Sequence, residues 1–175
     1  TDAKSSVGAA IVEALIEAGA DYVWAGAAEP WKMSPHLERI RQLSQVTVVP
    51  LDVTEESSVH KLAGNIGGKV DILINTAEYH RVGNLAHSQG AETARAEMET
   101  NYFGLLRLAQ SFGPALRSRA ADGQSSATAW VNLLSIYALS NFPAHSTFSA
   151  SKAAAYSLSQ SLRAAMQPSG IRVIN

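Results

Sequence analysis

The sequence contains no cysteine, which excludes a disulfide framework and any thiolate metal centre. Concentrated charge is also missing. Fourteen Lys and Arg face 15 Asp and Glu, for a net charge near −1, and no stretch gathers basic residues. Such a chain has no electrostatic footprint for nucleic acid or an anionic membrane surface. No apolar run reaches the roughly 18 residues that a membrane-spanning helix needs. Low-complexity tracts, internal repeats and a signal-peptide pattern are not seen. His36, His60, His80 and His87 show no metal-ligand spacing with carboxylates, so no metal is expected. What is present is a chain of 175 residues, 46% of them hydrophobic. That suits a single globular domain over residues 1–175 with a sizeable core. The expected location is cytoplasmic, with neither a nucleic-acid nor a membrane partner.

Strand-like apolar runs alternate with helical patterns. Val7 to Ala18 reads as a helix with Ile11, Leu15 and Ala18 inward, Glu13 and Glu17 outward, and Gly19 placed to cap its end. Asp21 to Ala25 reads as a strand. Ser34 followed by Pro35 is an N-cap with proline at the first helical position, opening a helix to about Leu43. Val46 to Leu51 is a strand. Thr54 is placed to cap the next helix, with Glu55 and Glu56 in its first turn, where the helix dipole favours anions. Val70 to Asn75 is a strand, and a long helix covers about Ala91 to Arg117. The stretch Arg119 to Ser126 reads as a surface loop. Strand Ala129 to Leu134, a helix from Ser146 to Met166 and strand Ile171 to Ile174 complete the order.

β-branched runs without a polar face, alternating with helices, indicate an α/β fold. Its core is a doubly wound parallel sheet covered on both sides, in three α/β/α layers. Such sheets bind ligands beyond the carboxyl ends of their strands. Asp52, Asn75 and Ser135 all fall at those ends. Phe148 and Lys152 lie four apart on the Ser146–Met166 helix, which stacks them on one face.

Taken together, these residues resemble the short-chain dehydrogenase/reductase family over essentially the whole chain. Thr1-Asp2-Ala3-Lys4-Ser5-Ser6-Val7-Gly8 is similar to the family's glycine-rich cofactor turn, Thr-Gly-x-x-x-Gly-x-Gly. Glycines there allow positive φ and let the backbone approach a pyrophosphate at a helix N-terminus. Only Gly8 is kept, with Asp2 and Ser6 at the other two positions. Asp52-Val53 matches the segment that contacts adenine, and Asn75-Thr76-Ala77-Glu78 stands where the family has Asn-Asn-Ala-Gly. Asn101, in Thr100-Asn101-Tyr102-Phe103-Gly104, matches the family's Asn-x-x-Gly. Ser135, Phe148 and Lys152 stand for the catalytic Ser…Tyr-x-x-x-Lys, with phenylalanine in place of tyrosine.

The resemblance implies a Rossmann-type fold, incomplete at both ends, lacking a first strand before Thr1 and the substrate loop after Asn175. It implies NAD or NADP as cofactor. Thr1, Ser6, Val7, Gly8, Asp52, Val53, Asn75, Ala77 and Lys152 are its binding residues, and Asn101, Ser135, Phe148 and Lys152 its catalytic set. Ala25-Gly26-Ala27-Ala28-Glu29 leaves the choice between NAD and NADP unreadable. The implied substrate is a small carbonyl or alcohol compound, and the implied assembly is a homodimer or homotetramer through the two long helices. In the family, Asn perturbs its helix and helps hold a water leading to the lysine; Ser binds the substrate oxygen; and Lys binds the nicotinamide ribose and lowers the tyrosine pKa.

A phenyl ring cannot exchange a proton, and losing a general acid typically costs about 10²–10⁴-fold. Two readings follow: an NAD(P)-dependent oxidoreductase with impaired or absent catalysis, or a non-catalytic binding, regulatory or scaffold domain of the same fold. Tyr137 and His145 are the two residues near enough in sequence to replace the phenol.

Overall fold

The structure is a computed structural model. It describes residues 1–83, 90–123 and 128–175, so His87 and the 124–126 end of the expected surface loop lie outside the described residues. The chain forms two compact units, Thr1–Asp52 and Val53–Asn175.

In the first unit, α1 (Ser6–Glu17), β1 (Val23–Ala27), α2 (Pro35–Arg41) and β2 (Val46–Pro50) follow in order. β1 and β2 pair in parallel from Val23↔Val46 to Ala27↔Pro50. β1 therefore begins two residues later than its β-branched and aromatic content suggests. The ladder can start only where β2 offers a partner, at Val46, and Asp21 and Tyr22 precede it. The inward face of α1 also differs from expectation. Ala9 and Val12 are buried and Ile16 packs against the core, whereas Ala18 is the exposed C-cap. This helix is apolar nearly all round, so periodicity alone does not choose its buried stripe. Its end is a Schellman motif. Gly19 sits at φ +91, its N–H donates to the Ile16 carbonyl, and the Ala20 N–H donates to the Leu15 carbonyl. The cap at Ser34 forms as the sequence indicates, its hydroxyl accepting from the Leu37 N–H with Pro35 in the first turn. Leu37 and Ile40 then join Ala25, Ala27 and Val46 in the core.

In the second unit, α3 (Glu56–Ile66), β3 (Ile72–Asn75), α4 (Gly90–Met98), a π-helical turn (Glu99–Phe103), α5 (Gly104–Ala121), β4 (Ala129–Asn132), α6 (Ser146–Met166) and β5 (Arg172–Ile174) follow in order. The strands form a parallel sheet in the order β3-β4-β5. The N-cap of α3 is Glu55 rather than Thr54, and its side chain makes no capping bond. Glu56 still lies in the first turn.

The core gathers Leu105, Leu108, Phe112 and Leu116, one apolar stripe of α5, with Trp130, Phe148 and Met166. Trp130 is fully buried and donates its indole N–H to Asn132 Oδ1 at 2.8 Å, which satisfies its one polar atom. No helix among the described residues is long and apolar enough to cross a membrane.

Candidate functional site

The cofactor turn expected in the first unit is built tightly. Ser5 caps α1. Its hydroxyl accepts from the Gly8 N–H at 3.0 Å and donates to the Asp2 carbonyl at 2.9 Å. A Cβ at Gly8 would stand 1.9 Å from the Asp2 carbonyl oxygen, so this backbone approach requires glycine. The turn needs no positive φ at Asp2 or Ser6: among the described residues, only Gly19, Gly123 and Gly170 have one. Replacing two family glycines has therefore cost no backbone strain. Ser6 and Val7 are exposed in the first turn of α1, where helix N–H groups face outward. Thr1 and Asp52 are half-buried. Burial raises the Asp2 carboxyl above its ordinary value, outweighing the pull of Lys4 and the Ser5 hydroxyl.

The second unit assembles the remaining candidates. Asn75 closes β3 and accepts from the Ala77 N–H at 3.3 Å, leading the chain into Glu78, Tyr79 and His80. Asn101 sits within the π-helical turn, where the widened backbone aims its amide at this segment. It accepts from the Tyr79 N–H at 2.9 Å, donates to the Tyr79 carbonyl at 2.9 Å, and donates to Ser151 Oγ at 2.8 Å. Ser151 in turn donates to the Phe148 carbonyl at 2.8 Å. Asn101 thus clamps the segment after β3 to the first turns of α6. Gly104, three residues on, lets α5 start against Val53: a Cβ there would lie 2.8 Å from Val53 Cγ2.

Lys152 is 2% exposed, and a buried ammonium requires a partner. Its partner is Glu78, with Nζ 2.6 Å from Oε2. Nζ also stands 5.4 Å from the centroid of the Phe148 ring. Phe148 is itself 2% exposed, closed in by His80 at 4.1 Å and Tyr137 at 5.3 Å between ring centroids. His80 Nε2 and His145 Nδ1 are hydrogen-bonded at 2.7 Å. Ser135 caps a short 3₁₀ turn (Ile136–Ala138), its hydroxyl half-buried and accepting from the Tyr137 N–H at 3.4 Å.

The structure therefore brings Asn101, Phe148 and Lys152 together through Ser151 and Glu78, with Tyr137 and His145 beside them. Two participants escape the sequence. Glu78 reads there as bulk and charge in a glycine position, not as the lysine's counter-ion. His80 reads as a histidine without metal spacing. Its one sequence signal is its place two residues past Glu78, on the segment leaving the carboxyl end of a strand. Among the described residues, no cluster of three metal-ligating side chains occurs.

The short chain dehydrogenase family profile matches residues 1–175. A short-chain dehydrogenase of Penicillium ochrochloron is 32% identical over 177 residues, taking in 98% of this chain and 60% of that protein. A crystal structure of a short chain dehydrogenase from Burkholderia cenocepacia in complex with NADP is 35% identical. It superposes with a TM-score of 0.84, covering 99% of this chain and 68% of its own. An NADPH-bound short chain oxidoreductase from Pseudomonas aeruginosa, described as containing an atypical catalytic center, is 27% identical. Its TM-score is 0.83, over 98% of this chain and 66% of its own. The chain spans about 60% of the length of two such curated relatives, from Penicillium ochrochloron and Penicillium crustosum. With its parallel strands flanked by helices, this chain belongs to the short-chain dehydrogenase family and has that family's Rossmann-type α/β/α fold.

Proposed function

We propose that this chain is a nicotinamide-dependent oxidoreductase domain of the short-chain type in which catalysis is impaired at two points. One observation carries the reading. The buried ring at the acid position is Phe148, and the Lys152 ammonium beside it is already held by Glu78 at 2.6 Å. The first loss removes the group that would exchange a proton with a substrate oxygen. The second engages the cation that the family uses on the nicotinamide ribose.

The chain's own residues fit a dinucleotide in part. The cradle at Gly8, which a Cβ would fill, and the exposed first turn of α1 suit a pyrophosphate. Thr1, Ser6, Val7 and Gly8 would hold that group, Asp52 and Val53 the adenine, and Asn75, Ala77 and Lys152 the nicotinamide half. When bound, such a cofactor supplies or accepts hydride. Ser135 would hold the oxygen of a small carbonyl or alcohol substrate, and Asn101 would keep the Tyr79 segment in register with α6. The NADP and NADPH in the Burkholderia and Pseudomonas structures favour the phosphorylated cofactor. Ala153, exposed on α6, suits close packing in a homodimer or homotetramer.

The second reading, a non-catalytic binding or regulatory domain, is favoured by the added carboxylates at Asp2 and Glu78, which oppose a polyanionic ligand. Fluorescence titration of the protein with NADPH and NADH separates the two. Weak saturable binding, tighter for NADPH, is expected. No binding at millimolar cofactor would end the oxidoreductase reading.

A further inference from the structure

We propose that His80, hydrogen-bonded to His145, is the proton donor that replaces the missing phenol, with His145 as its positioning residue. The proposal rests on the oxidoreductase reading above. The starting observation is steric. His80 packs on the Phe148 ring at 4.1 Å between centroids, so an imidazole lies in contact with the ring that carries the phenol in the family. The second observation is chemical. His80 is exposed and can exchange protons with water, while its Nε2 is committed to His145 Nδ1 at 2.7 Å. That leaves Nδ1 to present a proton. Imidazole is also the side chain whose ordinary titration range spans neutral pH, which suits a general acid.

The pair is held, not free to wander. His145 is the N-cap residue of α6, and its carbonyl accepts from the Ser149 N–H at 2.8 Å. The Gly83 N–H donates to the Ala144 carbonyl at 2.9 Å, tying the segment that bears His80 to the one that bears His145. Tyr137 packs against both imidazoles, at 6.2 Å from His80 and 5.1 Å from His145, and its own N–H is bonded to Ser135 Oγ. Tyr137 therefore touches both features, its ring against the histidine pair and its backbone on the serine expected to hold the substrate oxygen. Ile136 and Leu139, either side of Tyr137 in the chain, and Val82, two residues past His80, are exposed apolar side chains and suit an apolar carbonyl compound.

A bound NADPH would supply the hydride for the new C–H bond as the carbonyl π-bond breaks, and the His80 imidazolium would give its proton to the carbonyl oxygen. That leaves an alcohol, the oxidised nicotinamide and a neutral imidazole, which solvent reprotonates. Among the described residues, Tyr137 is in ring contact with both imidazoles, and the Lys152–Glu78 pair lies at the same Phe148 ring that His80 stacks on; the Arg81 guanidinium lies over the Tyr79 ring.

The test uses the intact protein, NADPH and benzil as an apolar carbonyl probe. Slow reduction is expected, with a rate that falls as pH rises through the imidazole range of about 5–8. A phenol donor would instead hold the rate to about pH 10. His80→Asn is expected to lower kcat about 10²-fold or more and abolish that limb, with NADPH affinity unchanged. His145→Asn is expected to displace the limb while His60→Asn, on α3, leaves it in place. In the apoprotein, NMR titration should show interdependent histidines, each variant altering the other's curve. NADPH binding with no benzil reduction, a His80→Asn enzyme with the original pH profile, independent titrations, or loss of turnover in Tyr137→Phe alone would each overturn the proposal. Failure to bind NADPH at all would overturn the oxidoreductase reading and the catalytic role of His80 with it.

Discussion

At the scale of single residues, the site is governed by where charge is placed. The Lys152 ammonium is taken almost wholly out of water, and Glu78 compensates it. Asp2 shows the opposite case, a carboxyl whose charge the fold disfavours. Burial raises its pKa, so the folded chain binds that proton more tightly than the unfolded one. Folding is then weakened as pH rises through the folded-state value. Asp2→Asn is expected to raise the melting temperature at neutral pH. The gain is expected to vanish below the ordinary carboxyl value of 3.8, where both side chains are neutral. Melting curves at about pH 7 and about pH 3 check the sign; an equal gain at both would contradict it.

At the scale of elements, two glycines and an asparagine fix the frame. Gly8 and Gly104 mark close backbone approaches that any Cβ would obstruct. Gly104→Ala would press on Val53 and is expected to cost about 1–3 kcal/mol, measured by urea unfolding. An unchanged midpoint would show that Val53 yields without strain. The limits of α6 were legible in the sequence because Ser146 begins an uninterrupted helical pattern that ends before Pro168. The buried stripe of α1 was not, because Ile11, Val12, Leu15 and Ile16 are all apolar and give no phase. The π-helical turn at Asn101 was legible only through the resemblance. Nothing in local propensity distinguishes Glu99–Phe103 from the helices on either side, and the turn is stabilised by the distant Tyr79 backbone.

At the scale of the whole molecule, the alternation of strands and helices carried the fold, because β-branched runs without a polar face suit a parallel sheet. The chemistry was only half legible. Ser135, Phe148 and Lys152 follow a spacing, but the pairs Lys152–Glu78 and His80–His145 join residues far apart in sequence and appear only once the segment after β3 meets the first turns of α6. On the proposed function, two positions limit catalysis: Phe148, which lacks the phenol oxygen, and Lys152, which Glu78 holds. Restoring the phenol in Phe148→Tyr leaves the lysine still held by Glu78. Glu78→Gly frees the lysine but leaves a buried cation without its partner. That variant is expected to melt earlier without cofactor, by less than the about 3–5 kcal/mol of a fully buried pair because Glu78 is 44% exposed, and to recover when NADPH is added. The decisive measurement is NADPH-dependent benzil reduction by Phe148→Tyr, Glu78→Gly and the double variant. The fold-gain of the double variant is expected to exceed the product of the two single-variant fold-gains at least tenfold, about 1.4 kcal/mol of coupling. Phe148→Tyr alone matching the double variant would contradict the account.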